Sequence, residues 1–266
     1  MHSYLLFNLD SVQRLLSAGS ASIGRMLGAS AALSMVEIAA SRTGPVLVLA
    51  TDPRHADQLE AEIRWFAGDD LPVRHLVEWE TLPYDTFSPH QDIVSQRLRI
   101  LGALPGVDTG IVIVSGPSLL QRLPPVDYVS ARTIQIRQGQ TLDRQQFIDS
   151  LAGSGYLRVP QVDEHGEYAV RGSLLDIYPM GSERPLRIDF FDDEVESLRY
   201  FDAESQISDR KLDSVDILPA REMPLDDEGI RTFRHRYRER FEGRPSGSRV
   251  YREVSDGIAH GGIEYY

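Results

Sequence analysis

Gly28, in the run Leu27-Gly28-Ala29-Ser30-Ala31-Ala32-Leu33-Ser34 ahead of an apolar stretch, marks where phosphate chemistry would have to begin. A working phosphate loop needs several glycines so that backbone N–H groups can face the ligand. It also needs a lysine for the β and γ oxygens and a hydroxyl for Mg²⁺. Here Ala32-Leu33 stands where glycine and lysine should be, and Lys211 is the only lysine in the chain. Gly28 and Ser34 are therefore read as the remnant of a degenerate nucleotide site. No cofactor, no catalytic residue and no ATP hydrolysis are expected of it.

Other polar clusters are equally poor in chemistry. Asp163-Glu164-His165-Gly166-Glu167 offers metal-ligand atoms but only one histidine, and it lacks the i, i+4 spacing that aims two ligands together. It reads as a solvated turn, and Asp192-Asp193-Glu194 reads as a hairpin turn rather than a catalytic carboxylate pair. Loop 78–89, EWETLPYDTFSP, gathers Trp79, Tyr84 and Phe87. As a stacking platform for nucleic acid it would want a basic groove, whereas Glu78, Glu80 and Asp85 carry the wrong sign. A loop pinned by its aromatics is the expectation. Arginines 231, 234, 236, 238 and 240 crowd segment 230–241. A solvated helix face explains such a run, with DNA contact as the alternative.

Segment 171–199, RGSLLDIYPMGSERPLRIDFFDDEVESLR, is different: dense in arginine and aromatic residues, with no nucleophile and no metal spacing. Strand alternation puts Arg187, Asp189 and Phe191 on one face and Ile188 and Phe190 on the other, the natural core face. Arg171 and Arg187 are read on neighbouring strands flanking the turn 179–183. An exposed phenylalanine beside arginines has the composition of an interface hot spot. The competing reading has Phe191 covering a satellite core and the arginines paired with Asp189, Asp192 and Glu194. Pattern alone leaves the two even.

The elements that must position these residues follow two rhythms. An apolar helix at 30–40 is followed by the continuous run 46–50, which suits a strand buried on both faces. Asp52-Pro53 opens a helix to about Phe66 as cap and first-turn proline. A strand at 73–76, a helix at 91–104, a strand at 111–114 and a short helix at 117–123 complete a β-α-β-α-β domain, 1–125. Beyond Pro124-Pro125 the pattern changes. A strand at 133–137, a helix capped by Thr141, and four or so antiparallel strands make an α+β domain, 126–219. Residues 220–266 begin a third domain, and the ending GGIEYY reads as a cut rather than a natural terminus. The fold class is thus α/β and α+β: a degenerate P-loop-type αβα domain followed by a small antiparallel-sheet domain.

Composition narrows the class of function. A formal net charge of -12 opposes non-specific DNA binding by the whole surface. The absence of cysteine suits a reducing cytoplasm. No apolar run approaches the ~18 residues needed to cross a bilayer, and residues 1–16 lack a secretory pattern.

Two stretches, WETLPYDTFSPHQDIVSQRL at 79–98 and EHGEYAVRGSLLDIYPMGSERPLRIDFFDDEVESLR at 164–199, resemble the bacterial transcription-repair coupling factors. The likeness runs from about Arg14 to the end of the chain. It implies domains 1A, 2 and the start of 1B of the repair protein UvrB, without UvrB's damage-probing hairpin, for which loop 78–89 has no room. Domain 2 of that family docks UvrA, and the family's contact residues fall on Arg171, Arg187 and Phe191, tipping the even choice toward the interface. The resemblance further implies a full-length, cytoplasmic, ATP-dependent DNA translocase that displaces stalled RNA polymerase. Its polymerase, DNA and motor modules would lie outside these residues, and its own C-terminal domain would mask the UvrA surface.

Overall fold

A computed structural model describes residues 17, 20, 22, 26–83 and 85–266. The readings for residues 1–16, the start of the resemblance at Arg14 and the contribution of Tyr84 lie outside them. One unit comprises residues 1–78 with 103–121, and a second comprises 79–102 with 122–266.

In the first unit, α1 (Ser30–Ala40) leads to β1 (Val46–Ala50), α2 (Pro53–Ala67), β2 (Val73–Leu76), β3 (Ile111–Ser115) and α4 (Gly116–Leu120). The helix between β2 and β3, α3 (Gln91–Ala103), belongs to the second unit as far as Gly102. The three strands are parallel in the order β1-β3-β2, with Val46 and Val73 both level with Ile111. Ala32 and Ala39 of α1, Leu59 and Ile63 of α2, and Val48, Ile111 and Ile113 of the sheet form one core. Period 3.6 on the helices and period 2 on the strands select these residues. Asp52 caps α2 as expected, accepting from the His55 amide at 3.0 Å. That bond, then one from Thr51, holds its carboxyl below the usual range. The run 46–50 departs from expectation. Leu47 and Leu49 are 64% and 57% exposed, because β1 is an edge strand with only its Val46, Val48 and Ala50 side packed.

The second unit contains α5 (Val126–Arg132), β4 (Ile134–Arg137), α6 (Arg144–Gly153), β5 (Leu157–Arg158), β6 (Glu167–Arg171), β7 (Leu174–Ile177), β8 (Leu186–Phe191), β9 (Glu194–Phe201), β10 (Ser208–Leu212), β11 (Ser214–Ile217), α7 (Asp227–Arg240) and α8 (Arg249–Ser255). Six strands, rather than about four, form a sheet in the order β10-β9-β8-β7-β6-β5. All pairings are antiparallel except β5 with β6. β4 and β11 form a separate ribbon. Helix α6 is capped by Asp143, which accepts from the Gln146 amide at 2.8 Å, and not by Thr141, which bridges to Glu194 through its backbone. Arg144 at the start of α6 lies over the Phe190 ring, 5.8 Å from its centroid.

A buried ion pair ties three distant segments of this unit. Arg97 of α3 donates to both oxygens of Glu222, at 2.6 and 3.1 Å, and lies over Trp79, whose indole N–H donates to the same carboxylate at 3.1 Å. Trp79 is thus buried and pinned, as the sequence suggests, whereas Phe87 of the same loop is exposed.

Candidate functional site

β8 carries the alternation that the sequence predicts. Leu186, Ile188 and Phe190 are buried, Arg187 and Asp189 are partly covered, and Phe191 is 69% exposed. A bulge between Asp189 and Phe190 is absorbed on β9 and leaves the faces of β8 unchanged. The hairpin that follows turns at Asp192, whose φ of 52° is one that aspartate tolerates.

Arg171 and Arg187 are not on neighbouring strands. β7 runs between β6 and β8, and the register sets Asp176 of β7 directly beside Arg187. Asp176 is 1% exposed and accepts from Arg187 Nε at 2.7 Å, Arg187 Nη2 at 3.0 Å and Arg171 Nη2 at 2.5 Å. The bidentate bond raises the pKa of the Arg187 guanidinium. Gln206 completes the clamp. Its side-chain oxygen accepts from Arg171 and its backbone carbonyl from Arg187, both at 3.3 Å. Arg187 also covers the Phe201 ring, 4.8 Å from its centroid.

The satellite core on this face does exist, but Val162, Ala169 and Phe201 build it and Phe191 has no part in it. Nor do Asp189, Asp192 and Glu194 hold the arginines: the structure gives that role to Asp176, which the sequence reading missed. Asp189 instead accepts from the Ser173 hydroxyl at 3.1 Å. The result is a face on which two arginines are preset by a buried acid, their side chains 48% and 20% exposed, with an exposed phenylalanine on the same side of β8.

The remaining candidates are tied up locally. Gly28 has φ 55° in the turn before α1, and the Ser34 hydroxyl, buried, donates to the Ser30 carbonyl at 2.7 Å. Glu167 accepts from the Asp163 and Glu164 amides at 2.9 Å, and His165 is 2.7 Å from Asp92 and 2.8 Å from the Ser182 carbonyl. Asp57, Glu60 and His75 bring three potential metal-ligand atoms together. Glu60 Oε2 lies 2.8 Å from His75 Nδ1, and this contact is the main cause of its lowered pKa. On α7, Arg234 donates to the Tyr251 hydroxyl at 3.4 Å, and Arg238 lies over the same ring.

Comparison with known proteins defines the class first. Residues 134–223, the span holding the six-stranded sheet and its clamp, match the family model of the UvrB interaction domain. Over 92% of the chain, the sequence is 44% identical to the transcription-repair-coupling factor of Escherichia coli K12 and 41% identical to that of Haemophilus influenzae. It is 35% identical over 69% of the chain to that of Myxococcus xanthus. The chain belongs to the transcription-repair-coupling factor family. It spans about a fifth of the length of these relatives, 21% of the first two and 16% of the third.

Proposed function

We propose that this chain is the part of a transcription-repair coupling factor that recruits UvrA in transcription-coupled nucleotide excision repair, with Arg171, Arg187 and Phe191 as the contact residues. The observation that carries it is the preset pair: the guanidinium groups of Arg171 and Arg187 are already fixed on Asp176 and Gln206. Less rotamer freedom is then lost on binding, which favours an interface over a solvated strand face. Residues 126–219 act as the docking domain, between a domain 1–125 with a degenerate nucleotide site and a third that begins at 220. The longer protein is read as a cytoplasmic, ATP-dependent DNA translocase that displaces stalled RNA polymerase and masks this surface with its own C-terminal domain. DNA binding through 230–241 is the weaker alternative, because Arg234 and Arg238 are engaged with Tyr251.

Titration calorimetry against UvrA tests the assignment. Each of Arg171→Ala, Arg187→Ala and Phe191→Ala should weaken binding by about 2 kcal/mol, the scale of an anchor truncation. A folded triple variant that bound UvrA as tightly as the parent would defeat it.

A further inference from the structure

Arg187 does not stand alone in its row. In β8, β9 and β10 the register sets Arg187 opposite Arg199, and Arg199 opposite Lys211. Directly paired residues of antiparallel strands project on the same face, with Cβ atoms about 5 Å apart. Three cations therefore stand side by side across the sheet, ending on Lys211 at the edge strand β10. Like charges placed directly opposite each other destabilise a sheet, so the row needs counter-charge. Asp176 supplies it at one end only, to Arg187. Arg199 and Lys211 have no ion pair among the described residues, and the Nε of Arg199 is buried without a hydrogen-bond partner. This occurs in a chain of net charge -12, where acids are plentiful enough to have been placed nearby.

We infer that Arg199 and Lys211 extend the docking surface across β9 and β10, and that they receive an acidic segment of the partner that contacts Arg171, Arg187 and Phe191. The inference rests on the docking reading above. Charge complementarity specifies the occupant's chemistry, and the row runs on from Arg187 without a break. Arg199, partly covered, is the affinity contact; its buried Nε is closed to a partner and shows only that the chain supplies that atom no acceptor of its own. Lys211 is exposed on the edge strand and acts on encounter, as rim charges do.

The test uses the 266-residue chain and UvrA, read by calorimetry and by association rate over a range of salt. Arg199→Met keeps the aliphatic stem and should raise Kd by about tenfold, the scale of a lost charge-assisted contact. Lys211→Glu should slow association and flatten its salt dependence. Neither should lower the melting temperature, because each relieves like-charge repulsion. If both variants bind like the parent while Arg187→Ala does not, the extension is wrong and the docking reading stands. If Arg187→Ala and Phe191→Ala are also silent, the docking reading itself fails. A fluorescent DNA duplex serves as the competing probe. Duplex binding that is lost in Arg199→Met and Lys211→Glu, with UvrA binding unchanged, would make the row a phosphate-binding surface and overturn the assignment to an acidic protein segment.

Discussion

Asp176 lies where β7 passes between the strands that carry Arg171 and Arg187, and its carboxylate accepts from both. Substituting asparagine keeps the volume but removes the charge and one acceptor, so Arg187 loses its bidentate partner. We expect Asp176→Asn to lower unfolding stability by about 1–3 kcal/mol, the cost of leaving a mostly buried polar group poorly paired. It should also weaken UvrA binding although no contact residue has changed. Thermal denaturation and calorimetry on the same sample check this, and unchanged affinity would show that the arginines need no presetting. Asp176 was hidden in the sequence for a physical reason. Alternation within Leu174-Leu175-Asp176-Ile177 gives its face, but which strand lies beside it depends on a register that no local pattern encodes. The sequence offers Arg171, Arg187 and Phe191 as candidates because they sit within a conspicuous stretch and Phe191 falls on the wrong side of an apolar alternation, although only the family resemblance singles the three out.

Among the elements, strands flanked by clear turns were read most faithfully. The faces of β8 match because Ile188 and Phe190 bury while Arg187 and Phe191 do not. β1 misled because an unbroken apolar run marks either a doubly covered strand or an edge strand with an open apolar side, and the sequence does not separate the two. The cap of α6 misled in another way, since Thr141 and Asp143 are both good capping residues. The chain chooses Asp143 because Thr141 is engaged in the bridge to Glu194. Asp143→Ala should therefore cost about 1 kcal/mol of stability, the usual loss of an N-cap. Thr141→Ala should cost much less. Denaturant melts of the two variants decide between them, and the reverse order would return the cap to Thr141.

Across the whole molecule, acid stability turns on carboxylates that folding shifts in opposite directions. Asp226 is held low first by the Gly229 amide, and Glu60 first by His75. Such groups contribute stability above their usual pKa and lose it as pH falls through the folded value. Glu264 opposes them. It lines a cavity of about 280 Å³ with Trp79, His165 and Arg221, and its Oε2 is buried without a partner. Burial raises its pKa above the usual 4.5, with Glu222 adding repulsion. A raised carboxyl pKa means that the folded state resists ionisation. The penalty is absent below the unfolded value, grows as pH rises from there to the folded value, and is constant above it. Glu264→Gln should thus stabilise the protein at pH 7, with a gain that shrinks toward zero as the pH drops below the usual glutamate value. Melting temperatures of parent and variant across that range provide the measurement. A gain independent of pH would mean that the amide acts by packing or hydrogen bonding, and that Glu264 is not held ionised against its surroundings.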